Sequence, residues 1–175
     1  DAYMNSETLD KLIIYLEKNL KVGLVAPGLV YPDGRFQMSV DIFPTLVRKL
    51  KRYFSLRSIE ENSKKIMSGS VDYAISACWM LRKNVVDKVG LLDENIFYSP
   101  EDVDYCIRIW RAGYQVHYFP DVSMVHDAQE ISLFKGFFIN RFTIRHAKGL
   151  AYLFTKHGYI FSLNSLYKKI NRFSV

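Results

Sequence analysis

The run Phe97–His126, FYSPEDVDYCIRIWRAGYQVHYFPDVSMVH, constrains this chain more than any other stretch. A serine, a proline and a burst of acids precede an apolar repeat, which is how a helix start reads. Ser99 is the expected N-cap, and Asp102 can reach back to it as in a capping box. Pro100 falls at the first helical position, where its missing N–H costs nothing. Val103, Cys106, Ile107 and Trp110 then repeat at helical spacing and form one apolar stripe. Gly113 suits the left-handed conformation that ends a helix. Tyr114 to Phe119 read as a strand stopped by Pro120. Glu101, Asp102 and Asp104 therefore share the first turn of a buried helix, whose dipole favours their ionised form. From pattern alone, capping is the plainer role for these acids.

The whole run says more. Gly90, Asp93, Glu94, Phe97, Glu101, Asp102, Asp104, Arg108, Gly113, Tyr114, Pro120 and His126 stand in a fixed order and spacing. That order resembles the second half of the catalytic domain of family 2 glycosyltransferases, above all the rhamnosyltransferase-like members that build bacterial surface polysaccharides. Many independent positions agree, which makes the match specific. It covers about residues 1 to 130.

The resemblance implies an α/β fold, namely the acceptor-side half of a GT-A type mixed sheet flanked by helices. Residues 1–128 would form that half, and residues 129–175 a basic, amphipathic helical segment. It implies transfer of a sugar, rhamnose being one choice, from a nucleoside-diphosphate donor to a saccharide or lipid-linked acceptor, with inversion. Asp102 would be the general base and Glu101 its support. Ser76, Ala77, Trp79, Asp104 and Arg108 would meet the acceptor, with Arg108 one helical turn from Asp104. Ser76 replaces a glycine usual in the family. Asp1 and His126 would hold Mg²⁺ or Mn²⁺, which a mixed imidazole and carboxylate site suits. The family's nucleotide-binding half would lie before Asp1. The chain is accordingly expected to be inactive alone, and to self-associate through a bare sheet edge or apolar surface.

Composition narrows the alternatives. With 49% hydrophobic residues the chain is long and apolar enough for one packed domain. Cys78 and Cys106 fit no metal spacing and read as reduced thiols of a cytosolic protein. No signal sequence or membrane-spanning run is evident. The net charge of +6 is unevenly spread. Asp87 to Asp104 holds six acids against Lys88, and Glu130 to Val175 holds eight cations against one acid. An acidic centre suits metal or proton chemistry. A basic tail suits an anionic surface, so peripheral attachment to the inner face of a membrane is expected. A nucleic-acid-binding module is the competing reading of that charge, but no zinc-finger or RNP-type motif supports it. A non-catalytic module on a membrane surface is the other.

The remaining segments are plainer. Asn5 or Ser6 caps a first helix with Leu9, Leu12, Ile13, Leu16 and Leu20 on one face. Val22 to Ala26 reads as a buried strand, and Pro32-Asp33-Gly34 as a turn between short strands at 29–31 and 35–40. Pro44 opens a short helix, and the basic stretch from Arg48 to Lys65 is expected to be a mobile loop, either simply solvated by its charges or a flap that meets a phosphate-bearing acceptor. Val71 to Arg82 reads as extended, with Trp79 serving the core or a sugar ring. Asn84 is the expected cap of a short helix ended by Gly90. The 131–170 region reads as helix broken near Gly136, Gly149 and Gly158, with an aromatic face that packs on the domain or lies on a membrane.

Overall fold

The computed structural model describes residues 2–49, 67–97, 99–127 and 141–171. In chain order the elements are β1 (Ala2–Tyr3), α1 (Ser6–Lys18), β2 (Val22–Val30), β3 (Phe36–Gln37) and β4 (Val40–Asp41). Then come β5 (Gly69–Ser70), β6 (Tyr73–Ala74), β7 (Met80–Leu81), α2 (Lys83–Val89) and α3 (Glu101–Arg111). The last are β8 (Gln115–His126), α4 (Arg141–His157) and α5 (Asn164–Lys169).

The sheet is built on β2 and β8, which run parallel side by side. β2 is apolar throughout and covered on both faces, as a central strand must be. β8 also pairs antiparallel with β1 and β5, and β2 pairs antiparallel with β3 and β7. The result is a curled mixed sheet flanked by helices, consistent with half of a GT-A-like fold. Alternation assigns the faces from Leu24 onward, and a register irregularity between Val22 and Leu24 turns Val22 to the other side. Leu24, Ala26, Val116 and Tyr118 join α3 in the main core. Val22, Val25 and Val122 pack with Leu12 and Leu16 of α1 on the other side. A second, two-stranded sheet joins β4 to β6.

Pro120 does not stop its strand as expected, and the strand expected to end at Ala26 runs on through a proline as well. Pro27 lies inside β2, and Pro120 inside β8. The register jumps there: Pro27 faces Phe119, but Gly28 faces Ser123. The three extra β8 residues form a bulge, where a proline's missing N–H removes no ladder bond. Gly28 lies close beneath it: a Cβ there would stand a tight 3.3 Å from the Val122 carbonyl oxygen.

Other expectations shift by a residue or a face. Asn5 caps α1, its side chain accepting from the Thr8 N–H at 2.7 Å. The buried face of α1 is Thr8, Leu12 and Leu16, while Leu9, Ile13 and Leu20 are exposed. The Pro32–Gly34 turn forms, with Asp33 accepting from the Arg35 N–H. Residues 71–82 are not one extended run, because a turn at 76–78 separates β6 from β7. Asn84 lies within α2 and caps nothing; Arg82 precedes that helix without a side-chain cap. Arg82 instead closes the end of α1, donating to the carbonyls of Leu16, Asn19 and Val22.

α4 runs unbroken through Gly149, against expectation, and Gly158 ends it with φ +68°. Leu153, Phe154, Tyr159, Leu166 and Ile170, from the region after residue 129, belong to the main core together with α3. Of the described aromatics of that face, Phe154 and Tyr159 pack on the sheet domain, while Tyr152 and Phe161 remain exposed. No described helix is long and apolar enough to cross a membrane. Both cysteines are free thiols, Cys106 buried and Cys78 half-buried.

Candidate active site

The acid-rich turn begins one residue later than capping logic places it. α3 starts at Glu101 behind Pro100 with no side-chain cap, so Ser99, at φ +38°, does not cap it. Asp102 accepts from the adjacent Val103 N–H, at 2.7 Å, a bond within its own turn. Its carboxyl is therefore not occupied with capping the turn.

What surrounds Asp102 sets its chemistry. Burial pushes its carboxyl up and the neighbouring Glu101 pushes it further, against the Val103 N–H and the cation of Lys49, to about 7. Such a group takes and releases a proton near neutrality, as a general base must. One carboxylate oxygen of Glu101 is buried with no hydrogen-bond partner among the described residues. Burial and the charge of Lys49 hold His146 of α4 low, at about 4, although it hydrogen-bonds the Ser99 backbone.

Asp104, one residue further round, has another fate. It is fully buried, and Arg108 Nε reaches one of its oxygens at 2.8 Å. Lys156 Nζ and His157 Nε2, both of α4, reach the other oxygen, each at 2.7 Å. Burial raises the Asp104 carboxyl, but these partners outweigh it and leave the group below its ordinary value. His157 is lowered by burial despite its carboxylate partner, so it stays neutral and donates from Nε2. Its Nδ1 is then a lone pair without a partner among the described residues.

Lys156 also bonds Asp93 at 2.6 Å, and Tyr152 donates to the same Asp93 oxygen at 3.1 Å. Asp93 is held well below the carboxylate range, mainly by Lys156. Arg108 donates besides to the carbonyls of Val89 and Leu91, closing the end of α2. The Gly90–Asp93 loop, the acid helix and α4 are thereby tied into one ionic lattice.

The residues expected to meet an acceptor are dispersed among these roles. Ser76 is exposed and Ala77 half-buried in the turn before β7. Trp79 stacks on Tyr105 with ring centroids 5.6 Å apart, and its Nε1 donates to the Ala74 carbonyl. The Arg108 guanidinium lies over the other ring of that stack, 4.8 Å from the Tyr105 centroid. Both oxygens of Asp104 already have protein partners.

Of the expected metal ligands, Asp1 lies outside the described residues, as does most of the basic loop at 48–65. The next residue, Ala2, pairs with His126 across β1 and β8. His126 Nδ1 lies 2.9 Å from Gln37 Oε1. The amide oxygen accepts, so Nδ1 carries the proton and Nε2 keeps a lone pair, the tautomer a metal ligand requires. His126 thus fits a divalent cation as one donor. Among the described residues no three of His, Cys, Asp and Glu gather as a metal cage.

Sequence reading missed Lys49, His146, Gly149, Lys156 and His157. All of these except Lys49 belong to α4, far from α3 in the chain, and no local spacing marks them.

No family model matches the chain. The chain is 27% identical over 135 residues to "dTDP-rhamnosyl transferase RfbF" of Shigella flexneri, covering 72% of this chain and 40% of the relative. It is 26% identical over 131 residues to "Low-salt glycan biosynthesis hexosyltransferase Agl10" of Haloferax volcanii, again 40% of the relative. It is 23% identical to an "N-acetylglucosaminyl-diphospho-decaprenol L-rhamnosyltransferase" of Mycobacterium tuberculosis, covering 44% of it. The chain thus spans about two fifths of the length of the curated relatives it matches. Over that stretch it is glycosyltransferase-like, in the manner of rhamnosyltransferases.

Proposed function

We propose that the chain forms the acceptor side of an inverting glycosyltransferase, with Asp102 as general base. Rhamnose is the sugar that two relatives' names carry. The observation that carries the reading is the Asp102 carboxyl: near neutral in affinity, beside Glu101, and without capping duty.

In the reaction, Asp102 takes the proton of an acceptor hydroxyl as its oxygen attacks the anomeric carbon of a nucleoside-diphosphate sugar. The new carbon–oxygen bond forms on the face opposite the leaving group. The bond to the diphosphate breaks, and its electron pair leaves with the nucleotide. Glu101 keeps the field around Asp102 negative, which holds the base strong enough to accept the proton at pH 7. A bound Mg²⁺ or Mn²⁺ supplies Lewis-acid neutralisation of the diphosphate charge. His126 would hold it through Nε2, oriented by Gln37 through Nδ1. The acceptor would be a saccharide, free or linked through diphosphate to a lipid on a membrane surface.

The test is transfer by the full-length protein, given nucleoside-diphosphate rhamnose and a diphosphate-lipid-linked acetylglucosamine. Formation of the disaccharide is the expected result. Donor hydrolysis alone, or no turnover with any nucleotide sugar, would overturn the reading. In the same enzyme, His126→Ala should raise the metal concentration for half-maximal activity by about tenfold or more, with the acceptor KM unchanged. An unchanged metal titration would remove His126 from the site.

A further inference from the structure

α4 follows the catalytic motifs in sequence, yet it touches the acid helix at three levels. At its end, Lys156 and His157 take one oxygen of the buried Asp104, each at 2.7 Å. In its middle, Gly149 lies so close to the start of α3 that a Cβ would stand 2.5 Å from the Ser99 carbonyl oxygen and 3.2 Å from Pro100 Cδ. One turn earlier, His146 hydrogen-bonds the Ser99 backbone. Ser99 and Pro100 lead directly into Glu101 and Asp102. Lys156 further spans from Asp104 to Asp93, at 2.7 and 2.6 Å.

We propose that Lys156 is a positioning residue for transfer: by bridging Asp93 and Asp104 it fixes the rotation and height of α3, and so the place of Asp102. This rests on the reading of Asp102 as general base. The chemistry favours a lysine here. Two carboxylates from different elements, Asp93 on a loop and Asp104 in the core, repel each other unless a cation stands between them. Arg108 turns Nη1 and Nη2 to the Val89 and Leu91 carbonyls, and His157 is neutral. Lys156 is the cation that joins the two acids. α3 is also held at its last residue, where Arg111 donates to the His157 carbonyl at 3.2 Å, and a helix held at both ends cannot rotate its first turn; a catalytic carboxylate tolerates little displacement, since a misplacement of about 1 Å costs about a hundredfold in rate.

The experiment uses the full-length enzyme and the variants Lys156→Gln, Lys156→Arg, Asp102→Asn and the double variant Asp102→Asn/Lys156→Gln. Turnover number, donor and acceptor KM, and melting temperature are measured for each. Lys156→Gln should lower kcat at least tenfold with both KM values within about twofold, and Lys156→Arg should restore most of it. The double variant should be no slower than Asp102→Asn alone, because Lys156 acts through that carboxylate. If Lys156→Gln does not fold, Asp93→Asn removes the other end of the bridge and should show the same split between kcat and KM. Wild-type kcat in Lys156→Gln, or effects that multiply in the double variant, would overturn the proposal. Should Asp102→Asn itself turn over normally, the base reading fails, and that outcome is visible separately from anything Lys156 does.

Discussion

Asp102→Asn in the full-length enzyme lowers turnover by about 10² to 10⁴, the usual contribution of a general base, and at the same time raises the melting temperature at pH 8. The two effects have one cause. Burial and Glu101 hold the folded-state affinity of Asp102 at about 7, above the ordinary aspartate value. A group raised in this way stabilises the fold below its unfolded value, near pH 4, and loses that contribution as pH climbs through 7. At pH 8 the buried carboxylate opposes folding, by roughly 2 to 4 kcal/mol for a rise of that size. Asn removes the charge and keeps the shape. A stabilised but slow enzyme is therefore the expected product, and paired turnover and thermal-melt measurements at pH 5 and pH 8 check it. A variant that is slow because it is less stable at pH 8 would contradict the account.

The second large effect is on stability alone. Asp104→Ala removes the one carboxylate that Arg108, Lys156 and His157 share, in a position with no solvent access. Breaking a buried pair by deleting one partner costs about 3 to 5 kcal/mol. For a domain of this size that lowers the melting temperature by about 10 °C. The sign of the pH dependence is opposite to that of Asp102. Asp104 is held low in the fold, so its contribution is present above the ordinary aspartate value and fades as pH falls through the folded one. His157, held neutral, adds to the loss in acid. The deficit of Asp104→Ala against wild type, followed by chemical denaturation, should be full at pH 7 and shrink towards pH 3. A deficit that is the same at both pH values would show that the ionic contacts contribute nothing beyond packing. Asp104→Asn is consequently no quiet control for Asp102→Asn, although their places on one helical turn invite that comparison.

The positions of the elements were legible because their signals are local. Asn5, the Pro32–Gly34 turn, the Val103–Trp110 stripe and the glycines at 90, 113 and 158 each act within a turn or two of the chain. The errors came where a distant partner decides. Pro120 reads as a strand end, but a three-residue bulge over Gly28 lets the strand continue. Ser99 reads as a cap, but its backbone is committed to contacts with His146 and Gly149 from α4. Gly149 reads as a helix break, but it is small for the sake of Ser99. The site divided in the same way. Asp102 and Glu101 could be picked out by their place in a motif. The division of labour between Asp102 and Asp104 could not, because it depends on Lys156 and His157 coming from a helix about fifty residues away.

If Asp102 is the proton acceptor, the pH dependence of kcat/KM in the full-length enzyme reports its titration in the free enzyme. Wild type should show an acidic limb with its midpoint near 7, set by the Asp102 carboxyl. In Asp102→Asn that limb should vanish, leaving a low, flat rate across pH 5 to 8. An acidic limb that persists in Asp102→Asn with its midpoint unmoved would place the titrating base elsewhere and contradict the account.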